Sequence, residues 1–136
     1  MGTTIAAYQA NAVVNGWTRI DMLLAVYDRA IEMTRAAAAQ SDRTQLPFWD
    51  KLLGAQKCVL ALHSGLKLDE CEIAFNVARL LHFVMSQLCE HRFDDALQIL
   101  ESLRSSFEAI RDESNELERL GKIPPVTSTS DVLAIA

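Results

Sequence analysis

The sequence predicts an all-α protein, an antiparallel up-down four-helix bundle with an N-terminal leader segment and a flexible C-terminal tail. Half of the 136 residues are hydrophobic, while 5 are Gly and 3 are Pro, so the chain lacks the turns of an all-β protein and the polarity of a disordered one. Apolar residues recur at helical spacings over four long stretches. Because the joints between these stretches are short, consecutive helices are expected to be antiparallel neighbours.

We expect a leader at residues 1–17, a bundle at residues 18–120 and a tail at residues 121–136. The first predicted helix spans about residues 19–40. Thr18 precedes it, and a threonine hydroxyl at that position accepts a hydrogen bond from a backbone N–H group of the first turn. Asp21, three residues later, places a negative charge at the positive end of the helix dipole.

The other three predicted helices are separated by polar joints. The second spans about residues 47–64, with Pro47 in its first turn, where the missing N–H group costs no hydrogen bond. The third spans about residues 70–90. The fourth begins with Asp94 as its cap and continues until Gly121, since its apolar residues recur without interruption.

Three of these helices carry more apolar surface than one corner of a bundle buries. Two stripes cover roughly 200° of helix 1: Ile20, Leu23, Leu24, Tyr27 and Ile31, and Met22, Val26, Ala30 and Met33. Two stripes also cover roughly 180° of helix 3: Ile73, Val77, Leu80, Val84 and Leu88, and Ala74, Ala78, Leu81, Met85 and Cys89. Phe83 lies on the otherwise polar side of helix 3, and helix 2 adds a flank of Trp49, Leu53 and Leu60.

This surplus has two interpretations, which are compatible. In the first, the bundle is irregular and deeply packed, or the leader and tail fold back over the apolar surface. In the second, the surplus forms a groove for the amphipathic helix of a partner, because extended exposed apolar surface usually marks an interaction site. Both hold if the leader occupies the groove until a partner displaces it.

Several kinds of partner and compartment are not expected. The net charge of −5 is spread along the chain without a basic stripe, so nucleic acid is not an expected partner. No signal peptide and no long apolar run is present, which argues against secretion by a signal peptide and against membrane insertion. The three cysteines form no Cys-x-x-Cys pair, which favours reduced thiols in the cytoplasm over disulfides or a zinc site.

Catalytic machinery is not expected either, and no cofactor is implied. None of the three histidines follows a Glu at the spacing of a di-iron bundle. A phosphotransfer bundle needs one exposed histidine on a helix face, and His63-Ser64-Gly65 only faintly matches that requirement because it lies at a helix end. The carboxylate pairs are interpreted as caps and solvated faces.

Several strings resemble the FliS family of flagellar secretion chaperones, in the same order over about residues 5 to 110. The strings are Ala7-Tyr8-Gln9, Thr18-Arg19-Ile20-Asp21-Met22, Tyr27-Asp28-Arg29-Ala30-Ile31, Ala55-Gln56 and Glu72-Ile73-Ala74 with Asn76-Val77. This resemblance implies a cytoplasmic export chaperone that binds the C-terminal helical segment of flagellin one-to-one. Such a chaperone prevents premature polymerisation and delivers the subunit to the flagellar type III export apparatus. The alternative is a diverged helical adaptor or regulator that binds another client helix.

The resemblance also implies which residues bind the partner. They are Ile5, Tyr8, Ile20, Leu23, Leu24, Tyr27, Gln56, Asn76, Leu80, Leu81 and Phe83. In this family the leader is expected to cover part of the apolar surface in the free protein, which gives Tyr8 the role of a gate. A simple hydrophobic staple is the other interpretation of Tyr8.

Overall fold

The computed structural model describes residues 18–65 and 72–122, which form five helices. They are α1 (Arg19–Ala38), α2 (Leu46–Ser64), α3 (Glu72–Cys89), α4 (Phe93–Ala109) and α5 (Arg111–Arg119). The predicted leader and the tail beyond residue 122 lie outside the described residues, so the division into leader, bundle and tail stays a prediction. Among the described helices, none is both long and apolar enough to span a membrane.

The first four helices contact one another in a cyclic order. Helix α1 packs against α2 and α4, and α3 packs against the same two helices. Three ion pairs join α1 to the last two helices. Asp21 pairs with Arg111 of α5, and Asp28 and Arg35 pair with Arg104 and Glu101 of α4. The residue numbers rise along α1 while those of the partners fall, so α4 runs in the opposite direction to α1.

The start of α1 is capped as the sequence predicts. Thr18 has an extended backbone, and its hydroxyl oxygen accepts a hydrogen bond from the backbone N–H of Asp21. The Asp21 carboxylate accepts one in return from the backbone N–H of Thr18, at 3.3 Å. This reciprocal pair satisfies two N–H groups that the helix itself cannot pair. Pro47 likewise lies in the first turn of α2, as predicted.

The joint between α3 and α4 differs from the prediction in its cap. Helix α4 begins at Phe93, with Arg92 as the cap residue, so the prediction that Asp94 caps this helix is wrong. Asp94 instead lies in the first turn, where its charge complements the helix dipole. The joint turns at His91, whose φ of 60° is the left-handed conformation that commonly ends a helix.

The predicted fourth helix is two helices, so the prediction of one continuous helix up to Gly121 is wrong. Helix α4 ends at Ala109, and the N–H of Ile110 donates to the carbonyl oxygen of Phe107, three residues back. After this break α5 lies against the start of α1. The Arg111 guanidinium bonds Asp21 at 2.6 Å, the Thr18 hydroxyl donates to the Asn115 side chain, and Glu118 accepts from the backbone N–H of Arg19. These polar contacts with α1 account for the break.

The end of α5 is the one that the sequence predicts. Gly121 has a φ of 75°, and its N–H donates to the Glu118 carbonyl oxygen while the N–H of Lys122 donates to that of Leu117. This pair of bonds closes the helix, and it requires the left-handed conformation that glycine adopts without strain.

The apolar core draws on all of the first four helices. Its largest fully buried apolar side chains are Tyr27, Phe48, Ile20, Met22, Leu81, Leu88, Leu100, Val26, Val59 and Val84. Thr34 is also buried, and its hydroxyl donates to the carbonyl oxygen of Ala30 at 2.7 Å, so its polar group is satisfied. Burial raises the pKa of the Cys58 thiol to about 11, which keeps this thiol protonated and unreactive at neutral pH.

We predict that Asp21→Asn destabilises the protein at pH 7 by about 1 kcal/mol, the ordinary value of a helix cap. Burial opposes ionisation of Asp21, but hydrogen bonds from Arg111 and Thr18 outweigh it and hold the pKa of this carboxyl below its usual value. The stabilisation is therefore present above about pH 4 and is lost as the pH falls through the lower folded-state pKa. Urea unfolding of both proteins between pH 7 and pH 2 measures it.

The two unfolding free energies should converge at the acidic end of this series. A difference that is constant with pH would contradict the role of the Asp21 charge.

Candidate partner-binding surface

Some of the predicted partner-binding residues lie inside the bundle. They are Ile20, Leu23, Leu24, Tyr27 and Leu81. The Tyr27 ring packs against that of Phe107 with 5.6 Å between centroids, and burial raises the pKa of the Tyr27 hydroxyl above its usual value. These side chains hold the core together, and a partner reaches them only if the bundle opens. Their contact with a partner stays a prediction.

The remaining predicted residues lie at the surface or outside the described residues. The exposed ones are on α3: Asn76, Leu80 and Phe83. Gln56 is half-buried on α2, and its side-chain amide donates to the sulfur of Cys89 at 3.6 Å, which links α2 to α3. Ile5 and Tyr8 lie outside the described residues, so the structure does not place them.

A row of exposed side chains follows one side of α3. Its members are spaced by three, four and three residues, which puts them on one helix face; this α3 row consists of Ile73, Asn76, Leu80 and Phe83. Leu80 is 42% exposed and Phe83 is 45% exposed, whereas the neighbouring Leu81 is 1% exposed. The row therefore offers three large apolar side chains and one amide group to a partner.

The core face of α3 lies between the two stripes that the sequence indicated. Its buried members come from both: Ala74, Val77, Ala78, Leu81, Val84 and Leu88. Ile73 and Leu80, which helical spacing grouped with Val77, are exposed because α2 and α4 cover only the middle of the wide apolar arc. On α1 the outcome differs, since both stripes are buried beneath α2, α4 and α5.

A small apolar pocket lies between α2 and α3. It has a volume of about 150 Å³ and is lined by Val59, Leu60, His63, Leu81, His82 and Met85. Val59 and Leu81 are buried, and the two histidines belong to facing helices. Apolar cavities of about 150 Å³ accept a single small ring. The pocket therefore fits one apolar side chain of a partner.

A larger cleft lies at the end of the bundle where α3 joins α4. Its volume is about 470 Å³, and it is lined by Ala38, Arg43, His91, Arg92, Phe93, Asp94 and Asp95. The His91 ring stacks on that of Phe93, and the Arg43 guanidinium lies 5.1 Å from the centroid of the same ring. Side chains of both charges line the cleft, two Arg and two Asp. The described residues contain no cluster of His, Cys, Asp or Glu side chains that could hold a metal ion.

Three exposed apolar residues were not predicted from the sequence: Leu46, Phe75 and Leu120. Leu46 is the first residue of α2, and the predicted helix began one residue later. Phe75 is exposed on α3 and belongs to neither predicted stripe. A helical-wheel count that includes every apolar residue of these helices and of their first and last turns would have found them.

Comparison with known families gives one assignment. The family model described as flagellar protein FliS matches residues 1–119. That match covers most of the chain and every described helix. Neither the comparison with curated proteins nor the comparison with solved structures gave a match.

Substitutions at the adjacent residues Leu80 and Leu81 distinguish a side chain on a free surface from one that stabilises the core. We predict that Leu81→Ala lowers the free energy of unfolding by about 3 kcal/mol, because it opens a cavity in the core. Leu80→Ala should lower it by less than about 1 kcal/mol, since that side chain is half in solvent. Urea unfolding followed by circular dichroism measures both. Equal losses would contradict the assignment of Leu80 to a free surface.

Proposed function

Because the chain belongs to the FliS family of flagellar export chaperones, we propose that it binds the C-terminal helical segment of flagellin, one-to-one, in the cytoplasm. Binding prevents premature polymerisation, and the chaperone delivers its client to the flagellar type III export apparatus. This role requires neither catalysis nor a cofactor. The observation that supports the proposal best is the α3 row, an exposed apolar surface on a bundle whose core is already filled.

The α3 row suits an amphipathic client helix. An apolar stripe on such a helix repeats every three or four residues, which is also the spacing within the row. Complete burial of a large apolar side chain contributes about 1.5 to 3 kcal/mol, and Leu80 and Phe83 each have nearly half of their surface left to bury. The Asn76 amide adds a hydrogen-bonding group within the row. A client that is disordered when free loses part of this gain to ordering.

The scaffold keeps the row in place. We propose that α1 to α4 form an antiparallel up-down bundle, which is supported by the opposed numbering of the ion pairs and by the short joints. Beneath the row, Val77, Val84 and Leu88 are buried against the rest of the core. A helix fixed on its inner face presents its outer side chains without a large cost in backbone ordering.

The residues predicted from the family resemblance that are not in the row enter the proposal indirectly. The buried ones support the helices that carry the row. The leader, with Ile5 and Tyr8, is proposed to cover apolar surface until the client displaces it, which is an extension of the proposal to residues 1–17.

We predict that a peptide spanning the C-terminal helical segment of the same organism's flagellin binds the full chain with a negative heat-capacity change, because apolar surface is buried. Leu80→Ser and Phe83→Ser should each weaken binding by about tenfold, equivalent to about 1.4 kcal/mol. Isothermal titration calorimetry at several temperatures measures both quantities.

Leu120→Ser is the matched control, because it removes an exposed leucine at the end of α5, far along the chain from the row. It should leave the affinity unchanged. Absence of binding heat at every temperature would reject the flagellin client and favour another client helix. Equal weakening by all three variants would reject the α3 row as its site.

A further inference from the structure

An apolar groove between α2 and α3 is separate from the α3 row. The pocket of about 150 Å³ between these helices forms its middle. Phe75 precedes His82 by seven residues, or two helical turns, so it extends the groove toward the start of α3. Leu60 is 59% exposed and Phe75 is 51% exposed, so large apolar side chains line the groove in solvent. We name it the α2–α3 groove and define it by its surface residues: Leu60, His63, Phe75, His82 and Met85.

The groove and the α3 row occupy different sides of α3. At 100° per residue, the row residues Leu80 and Phe83 lie roughly 80° to 160° around the helix from the three groove residues of α3. A segment bound in the groove therefore need not touch the proposed client surface. Either site can be tested without the other.

The charges around the groove have one sign. Beyond Lys51, α2 carries no Asp or Glu, and neither does α3 after Glu72. Lys57 and Arg79 lie exposed on the two flanks, each roughly 60° around its helix from a groove residue. Within the described residues, neither of them takes part in an ion pair. The groove therefore favours an apolar segment that carries a negative charge.

The chain itself contains such a segment in its tail. Asp131 is followed there by a run of apolar residues: Val132, Leu133, Ala134 and Ile135. This run lies outside the described residues and beyond the match to the family model, which ends at residue 119. The leader also lies outside the described residues, but residues 1–17 contain no charged side chain. The charge pattern therefore selects the tail over the leader.

The tail is long enough to reach the groove. It follows α5, which lies against the start of α1. In the proposed antiparallel bundle α2 ends at that same end, and His63 is the residue before its last. Neighbouring helix axes are about 8 to 10 Å apart, so crossing two of them takes about 20 Å. Leu133 is eleven residues beyond Lys122, and an extended chain of that length spans up to about 36 Å.

We propose that the α2–α3 groove binds the apolar segment of the chain's own tail, with Leu133 in the pocket. Asp131 then lies beside Arg79, on the side from which the tail enters, and Ile135 packs against Leu60. Because groove and segment belong to one chain, the segment is present at an effective concentration on the order of millimolar. Contacts of two apolar side chains and one ion pair are then sufficient to fill the groove, so the protein covers its own apolar surface there.

Methyl NMR of the full chain, labelled at its methionines and without any client, tests the proposal. Met85 lines the pocket, whereas Met22 and Met33 are buried in the core and report on folding. In the wild-type protein the Met85 methyl group should be protected from a soluble paramagnetic agent. Leu133→Asp should remove this protection and shift the Met85 resonance, while the Met22 and Met33 resonances stay in place. An added peptide of residues 123–136 should restore the protection.

Two further variants separate the segment from the rest of the tail. Val126→Asp is the matched control, since it places the same charge in the tail before the segment, and it should leave Met85 protected. Asp131→Lys should lower the ratio of docked to undocked tail by up to about fivefold, because it replaces an exposed attraction with a repulsion. High salt should reduce this difference.

A wild-type Met85 methyl group that is as accessible as in Leu133→Asp would overturn the proposal. Protection that survives Leu133→Asp but is lost in Tyr8→Asp would also overturn it, and would assign the groove to the leader. Protection that is lost on dilution would assign the groove to a second copy instead, because docking within one chain does not depend on concentration.

Discussion

Helix α1 requires cover on most of its circumference, because both of its apolar stripes are buried at the same time. Helices α2 and α4 lie on either side of it, α5 lies against its start, and α3 completes the ring by packing on α2 and α4. Beyond the first turn, the charged residues of α1 lie on the part of the helix surface that remains. Asp28 and Arg35 are used there in ion pairs with α4. The arrangement of the other helices thus follows from the width of the apolar arc on α1, since a narrower arc would need fewer neighbours.

Local chemistry made the start of α1, the first turn of α2 and the end of α5 predictable, although the cap of α4 was predicted wrongly. Contacts between distant residues made the break before α5 unpredictable. Thr18 with Asp21, Pro47 and Gly121 act within one turn of their own positions, so the sequence contains the whole reason for each. Apolar spacing continues through Ile110. The break there depends on polar contacts between α5 and α1, whose residues are about ninety positions apart.

The surface residues were predicted less well than the fold for a related reason. Helical spacing measures how wide an apolar arc is, but the neighbours decide which part of the arc is covered. On α1 three neighbours cover both stripes, whereas on α3 two neighbours leave Ile73 and Leu80 in solvent. Phe83, on the polar side of α3 in the sequence, is exposed as expected. The prediction of surplus apolar surface holds for α2 and α3, and on α1 the surplus is core.

The contacts between α1 and the end of the bundle also determine when the chain can finish folding on the ribosome. Asp28 can form its ion pair only after Arg104, 76 residues later, has been synthesised. Thr18 can bond Asn115 only after a further stretch, since that residue comes 97 residues later. At the usual pace of translation, the first of these intervals lasts on the order of 4 to 15 seconds. During that time the nascent α1 can pack on α2 but not yet on α4 or α5, so part of its apolar surface lacks its final neighbours. Each newly made copy therefore passes through a stage in which it is a helical hairpin with exposed apolar surface.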